Sequence, residues 1–179
     1  MPIKPKTAKK SPMQASDMIE VNHDDVILRT FILFVQTART ILKYADTHLY
    51  GNVRLSVIKF MVLRVLASHN RSMKPSEIAE WTQTERHNIT ALIKRMKKEG
   101  LVEAKRDGSD RRYVNVTLTG KGQEVLSSAT PAAREVIDDV MSSISEGDAV
   151  LLEKLLKVLR QNTHDGLAQV AQQNLPRID

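Results

Sequence analysis

From Leu28 onward, apolar residues recur at alternating steps of three and four: Leu28, Phe31, Val35, Ala38, Leu42, Ala45 and Leu49. These steps keep one face of an α-helix apolar and form a heptad seam. Ile27, Phe34 and Ile41 widen the stripe on one side, so the face can meet its own domain, a second chain, or both. Asn22 reads as the N-cap, with Asp24 and Asp25 suited to the positive end of the helix dipole. Such a helix is about 40 Å long. Gly51 and Asn52 interrupt the pattern, and Leu55 to Ala67 then runs apolar on nearly all sides. With Ser56 as its cap, that run predicts a helix at the buried centre of a domain.

A tighter pattern follows. Pro75 can open a short helix, because its missing N–H costs nothing at the first position. Glu77 lies early in that helix, and Ile78, Ala79 and Trp81 supply a packing face; a large aromatic is most often buried. Thr82 and Gln83 make a turn. Thr84 is the expected N-cap of a second helix that runs to Glu99 and stops at Gly100. Ile89, Leu92, Ile93 and Met96 fall on the inner face of this helix. Arg86, His87, Asn88, Thr90, Ala91, Lys94 and Arg95 are left outside. Arg can bond guanine at two positions and Asn can do so for adenine, while Thr and Ala can touch thymine methyls. A solvated basic face is the plainer reading of the helix alone.

The next segment changes that balance. Leu101 to Lys105 and Tyr113 to Leu118 read as strands, the second with Val114, Val116 and Leu118 on one face. Between them lies the charged turn Arg106 to Arg112, with Gly108 supplying flexibility. A charged hairpin directly after a helix-turn-helix has the layout of a wing. Thr119 then caps a long helix carrying Val125, Leu126, Ala129, Ala133, Val136, Ile137, Val140 and Ile144, with a kink expected at Pro131. Ser145 to Asp148 resembles a capping box. It opens a last helix with Leu151, Leu152, Leu155, Val158 and Leu159 on its apolar side, continuing weakly past Gly166. Two amphipathic helices after a wing have no domain of their own to complete. Dimerisation with the first helix is their economical use, and packing back onto the same chain is the alternative.

The expected fold is therefore mainly α with a small β-hairpin wing: a winged helix-turn-helix plus a helical dimerisation region. Its parts are a disordered basic tail at 1–20, a dimerisation helix at 21–53, the DNA-binding domain at 54–120 and dimerisation helices at 121–174. The tail carries four lysines and three prolines; it either solubilises the chain or adds phosphate contacts.

Charge sharpens this reading. The net charge is +6 and the pI about 9.6, which favours an anionic partner. Between Thr84 and Arg112, nine Lys or Arg stand against five acids, a local +4. The absence of cysteine removes disulfides, cysteinyl zinc sites and thiol redox sensing. No apolar run reaches the roughly 18 residues that span a bilayer, and no signal-peptide pattern opens the chain; a cytoplasmic protein without a membrane partner is expected. No phosphate-binding glycine loop, H-E-x-x-H or nucleophile elbow is present. The five histidines lack ligand spacing. Neither enzymatic activity, nor a metal, nor a cofactor is expected.

The run Glu99-Gly100-Leu101-Val102, then Arg106 through Asp110-Arg111-Arg112, then Val116-Thr117-Leu118-Thr119-Gly120-Lys121-Gly122 resembles the MarR family of bacterial and archaeal regulators. The resemblance covers roughly Asn22 to Val170 and is sharpest from Pro75 to Gly122. It implies a homodimer whose first and last two helices interlock. Each chain would present a recognition helix at Thr84 to Lys94 and a wing arginine at Arg112, braced by Asp110 with Arg111 beside it. The chain departs from the family pattern at Lys74, where Ser or Thr is common, and at Trp81, where a smaller aliphatic is usual. The resemblance further implies release of DNA by a small aromatic or phenolic effector. The matching surface involves Phe34, Tyr44, His48 and Phe60, residues whose ordinary use is core packing or helix surface. The function that follows is a sequence-specific regulator of double-stranded DNA, a homodimeric repressor on a near-palindromic operator. The alternative is a winged-helix protein–protein interaction module without DNA binding.

Overall fold

The computed structural model describes residues 25–106 and 114–173. In chain order the elements are α1 (Val26–Val53), α2 (Val57–Ser68), β1 (Ser72–Met73), α3 (Pro75–Trp81), α4 (Arg86–Lys98), β2 (Val102–Arg106), β3 (Val114–Leu118), α5 (Gly120–Met141) and α6 (Glu146–Gln173). The order is that of a winged helix-turn-helix set between long helices, as the hydrophobic pattern predicts.

The helix ends correct several expectations. Asp25, not Asn22, caps α1: its carboxylate accepts the N–H of Ile27 at 2.8 Å and of Leu28 at 3.1 Å. Asn22 itself lies outside the described residues. Gly51 and Asn52 do not end the helix, which continues to Val53 and stops at Arg54 with φ 56°. A single glycine costs a helix only about 1 kcal/mol, less than the burial of Leu49 and Leu55 on either side returns. Ser56 stands at the N-cap of α2 but its side chain makes no cap bond. The carboxylate of Asp46, one helix earlier, takes the Val57 N–H instead at 2.8 Å.

The core gathers Leu49, Leu55, Leu63, Leu66, Ile78, Ile89, Met96, Val102, Val116 and Leu126 into one buried cluster. Helices α1 to α5 and the sheet each contribute, so α4 is held on its apolar side by the rest of the lobe. The sheet has the order β1-β3-β2 and is antiparallel throughout. The hairpin pairs Val102 with Leu118 and Arg106 with Val114. The third strand, β1, pairs Ser72 with Thr117 and Met73 with Val116. It follows a tight turn in which Asn70 and Arg71 adopt φ of 50° and 64°.

Thr119 caps α5 as expected. Its hydroxyl accepts the Gly122 N–H at 2.9 Å and lies 2.7 Å and 2.9 Å from the Gly100 and Leu101 carbonyls. Pro131 lies inside the continuous helix. At α6, the Ser145 hydroxyl accepts the Asp148 N–H at 3.2 Å and donates to the Asp148 carboxylate at 2.6 Å. That is the expected serine cap, with the acid taking the hydroxyl rather than the backbone. The chain divides into a unit ending at Val136 and a second beginning at Ile137. Within the second, Leu151, Leu152, Leu155, Val158 and Leu159 are each 41–56% exposed. In α1 only Ala45 and Leu49 are buried, and Leu28, Phe31 and Leu42 of the seam are exposed.

Candidate nucleic-acid interface

Helix α3 begins with Pro75 at its first turn. Lys74, which is no side-chain cap, is compensated by Glu77, whose carboxylate accepts the Lys74 N–H at 2.8 Å. Ile78 and Ala79 are buried, as their spacing predicts. Trp81 is not. It is 59% exposed, with its ring 4.5 Å from that of His69. The last turn of α3 carries the indole outward onto the α2–β1 turn, and the core beneath is filled by aliphatic side chains instead.

The turn into α4 differs by one residue from the expectation. Thr84 donates its N–H to Ala79 at 2.9 Å and its hydroxyl to the Thr82 carbonyl at 3.1 Å. It therefore closes the turn, and Glu85 occupies the N-cap position without a side-chain bond. Gln83 accommodates the bend with φ 50°.

Helix α4 separates its faces cleanly. Ile89, Leu92, Ile93 and Met96 are buried. Arg86, His87, Asn88, Thr90, Ala91, Lys94 and Arg95 are all exposed along the other face. The Thr90 hydroxyl is occupied by the Arg86 carbonyl at 2.9 Å. Charge is distributed unevenly along the helix. The last turn holds Arg95, Lys97 and Lys98, which suit its negative end. Lys121 adds a bond to the Glu99 carbonyl at 2.7 Å, and Lys59 pairs with the Glu99 carboxylate at 2.7 Å. The first turn holds no acid, and Arg86 and His87 sit at the positive end. The Arg86 charge there costs the isolated helix a few tenths of a kcal/mol, a cost that a nearby anion reverses.

The hairpin follows at once. Glu103 and Lys105 pair at 2.6 Å on the exposed side of β2. This bond and charge hold the Glu103 carboxyl below, and the Lys105 ammonium above, their ordinary ranges. Asp110, Arg111 and Arg112 lie outside the described residues. An apolar cleft of about 250 Å³ separates α4 from the strands, lined by Pro75, Thr90, Ile93, Lys94, Lys97, Ala104 and Val114. Periodicity gave no sign of it, because it is formed where four elements meet.

The four residues matched to an effector are only partly brought together. Tyr44 and His48 are ring neighbours at 5.8 Å, and His48 pairs with Glu135 of α5 at 3.0 Å. Phe60 packs against the core, and Phe34 is 41% exposed. Glu135 carried no signal in the sequence, where it is one acid among many on an amphipathic helix.

The sequence profile of the MarR family matches residues 55–112, the stretch from the start of the buried lobe through the hairpin. The HTH-type transcriptional repressor NicR of Pseudomonas putida is 32% identical over 58% of this chain and 65% of its own length. The transcriptional repressor MprA of Escherichia coli is 33% identical over 60% of this chain and 64% of its own length. The match therefore spans just under two thirds of these relatives. Among solved structures, an organohalide sensing transcriptional regulator with 2,4-dichlorophenol bound superposes with a TM-score of 0.72 at 25% identity. That superposition covers 80% of this chain and 85% of the other. Helix order, the hairpin after α4 and the profile match across that same lobe agree: residues 55–112 are similar to the MarR family of winged helix-turn-helix regulators.

Proposed function

We propose that this protein is a sequence-specific, homodimeric regulator of double-stranded DNA, most simply a repressor. The observation that carries the reading is the outer face of α4. Arg86, His87 and Asn88 stand exposed in a first turn without acids, and buried aliphatics fix the opposite face. Such a helix can lie in the major groove with its N-terminal residues at base edges. There an anionic duplex offsets the unfavourable placement of the Arg86 charge. Asn88, Thr90, Ala91, Lys94 and Arg95 extend the contact along the groove. Thr84 takes part as the closing residue of the turn. On the family resemblance, Arg112, with Asp110 and Arg111, is assigned to minor-groove contact. The repressor names of the relatives support the direction of control.

Two lobes bury more DNA surface than one and read a longer site. The exposed apolar residues of α1 and α6 support a dimer that would set two α4 helices about 34–36 Å apart on a near-palindrome. The phenol-bound structural neighbour supports an aromatic effector, with Tyr44 and His48 as its closest-set contacts and Phe34 and Phe60 flanking. An effector releases DNA only by binding the non-binding arrangement more tightly.

The test is a titration of duplex DNA from upstream of the protein's own gene at several salt concentrations. Binding should weaken steeply with salt, and Arg112→Ala should weaken it further while leaving folding intact. A flat dependence of log affinity on log salt would instead identify a protein-binding adaptor. Unchanged binding by Arg112→Ala would remove the wing from the interface.

A further inference from the structure

A second cleft, of about 330 Å³, lies between α2 and the first half of α5, away from the outer face of α4. Its volume is within the range of small-molecule sites. Ala67 and Leu126 give it an apolar floor, and Ser68, Ser127 and Thr130 give it hydroxyls. Arg64 is its charge, and no acid lines it. Among the described residues, no ion pair to Arg64 is formed.

A second guanidinium reaches the cleft's edge. Arg71 Nη2 donates to Gln123 Oε1 at 3.4 Å, and Gln123 lines the cleft. The Arg71 backbone is fixed: its N–H donates to Leu66 at 2.9 Å, and its carbonyl accepts from Leu118 at 2.9 Å. At the other side of its amide, Gln123 donates to Ser127 at 3.5 Å. Both Gln123 bonds are at the long limit for hydrogen bonds, so a ligand can replace them at small cost. The Ser68 and Thr130 hydroxyls each donate to a carbonyl of their own helix, at 3.0 Å and 2.8 Å. The Thr130 oxygen is left as an acceptor, and Ser68 Oγ, which also lies 3.3 Å from His69 Nδ1, keeps a remaining lone pair. A ligand that satisfies the site must therefore present negative charge to the arginines and hydroxyl donors to these oxygens.

We propose that the α2–α5 cleft binds a small hydroxylated carboxylate, its carboxylate held by Arg64 and Arg71 and its hydroxyls by Ser68 and Thr130. This site shares no residue with the aromatic surface of Phe34, Tyr44, His48 and Phe60, and its polar lining selects a different ligand. Its occupant would touch Arg71, whose carbonyl holds Leu118 at the root of β3. The binding itself is independent of the DNA-binding reading and is measured without DNA.

The experiment titrates the full chain, labelled with nitrogen-15, with gluconate, tartrate and citrate, and with sorbitol as the uncharged control. At least one of the acids should give saturable amide shifts concentrated at residues 64–71 and 123–130, and sorbitol none at equal concentration. Arg64 is exposed, so Arg64→Gln should retain the wild-type spectrum elsewhere. It should bind the acid about tenfold more weakly or worse, and Arg64→Lys should recover part of the loss. The proposal is overturned if no acid gives saturable shifts, if the shifts map elsewhere, or if Arg64→Gln binds as tightly as wild type.

Discussion

Gly122 sits in the first turn of α5, where alanine would ordinarily be preferred by about 1 kcal/mol. Here the expected sign is opposite. A Cβ at this position would lie 2.1 Å from the Leu101 carbonyl oxygen and 2.8 Å from Leu118 Cδ1. Neither neighbour can withdraw freely. Leu101 and Leu118 are each 5% exposed, and the Leu101 carbonyl also receives the Thr119 N–H at 3.3 Å and hydroxyl at 2.9 Å. Moving that carbonyl away weakens two hydrogen bonds of about 1 kcal/mol each and adds overpacking of about 1–3 kcal/mol. After the helix preference of alanine is subtracted, Gly122→Ala should destabilise the protein by about 2–4 kcal/mol. In urea the unfolding midpoint should fall by roughly 1 M or more. Gly51 and Gly166 are the internal controls. Both are helical, with no atom within 4 Å of an added Cβ, so Gly51→Ala and Gly166→Ala should stabilise by about 0.5–1 kcal/mol. All variants are compared at one protein concentration, because association shifts apparent stability. The reasoning fails if Gly122→Ala unfolds at or above the wild-type midpoint.

Three further outcomes are expected. Asp46→Ala removes the cap that α1 gives to the Val57 N–H and should cost about 1 kcal/mol in urea melts. Asp46→Asn should retain most of that stability, and an equal loss from both would place the effect elsewhere. Arg86→Ala, at an exposed position, should leave the melting curve unchanged and weaken specific duplex binding by about 1–3 kcal/mol in anisotropy titrations; full retention of affinity removes Arg86 from base readout. Replacing exposed Leu155 and Leu159 of α6 with Asp should lower the mass seen by sedimentation to that of one chain, and an unaltered dimer would show that α6 lies outside the interface.

Much of the fold was legible because each helix of the lobe has its own local signal. Ile89, Leu92, Ile93 and Met96 announce the buried face of α4 by spacing alone, and Thr119 and Ser145 announce helix starts by type and position. The same locality explains the failures. Trp81 follows a packing rule as a residue type, yet its exposure depends on which way the last turn of α3 faces after the lobe has assembled. Strand β1 is two residues long, too short to show alternation, and exists because β3 offers it a free edge. The Asp46 cap and the Glu135 partner of His48 join residues far apart in sequence, with no periodic mark.

For the interface, the sequence by itself determined the chemical inventory: a basic, amide-bearing outer face on α4, followed by a charged hairpin, with no cysteine chemistry. Side-chain type and helical period suffice for that, since both are local properties. Only the tertiary structure decided the positions on which function depends. Thr84 is committed to closing the turn, Lys105 is paired with Glu103, and Arg71 is bonded to Gln123 at the edge of the cleft that Arg64 lines. Those arrangements arise from burial of a shared core and from bonds between distant segments. They are energies of the assembled chain, which no short window of sequence contains.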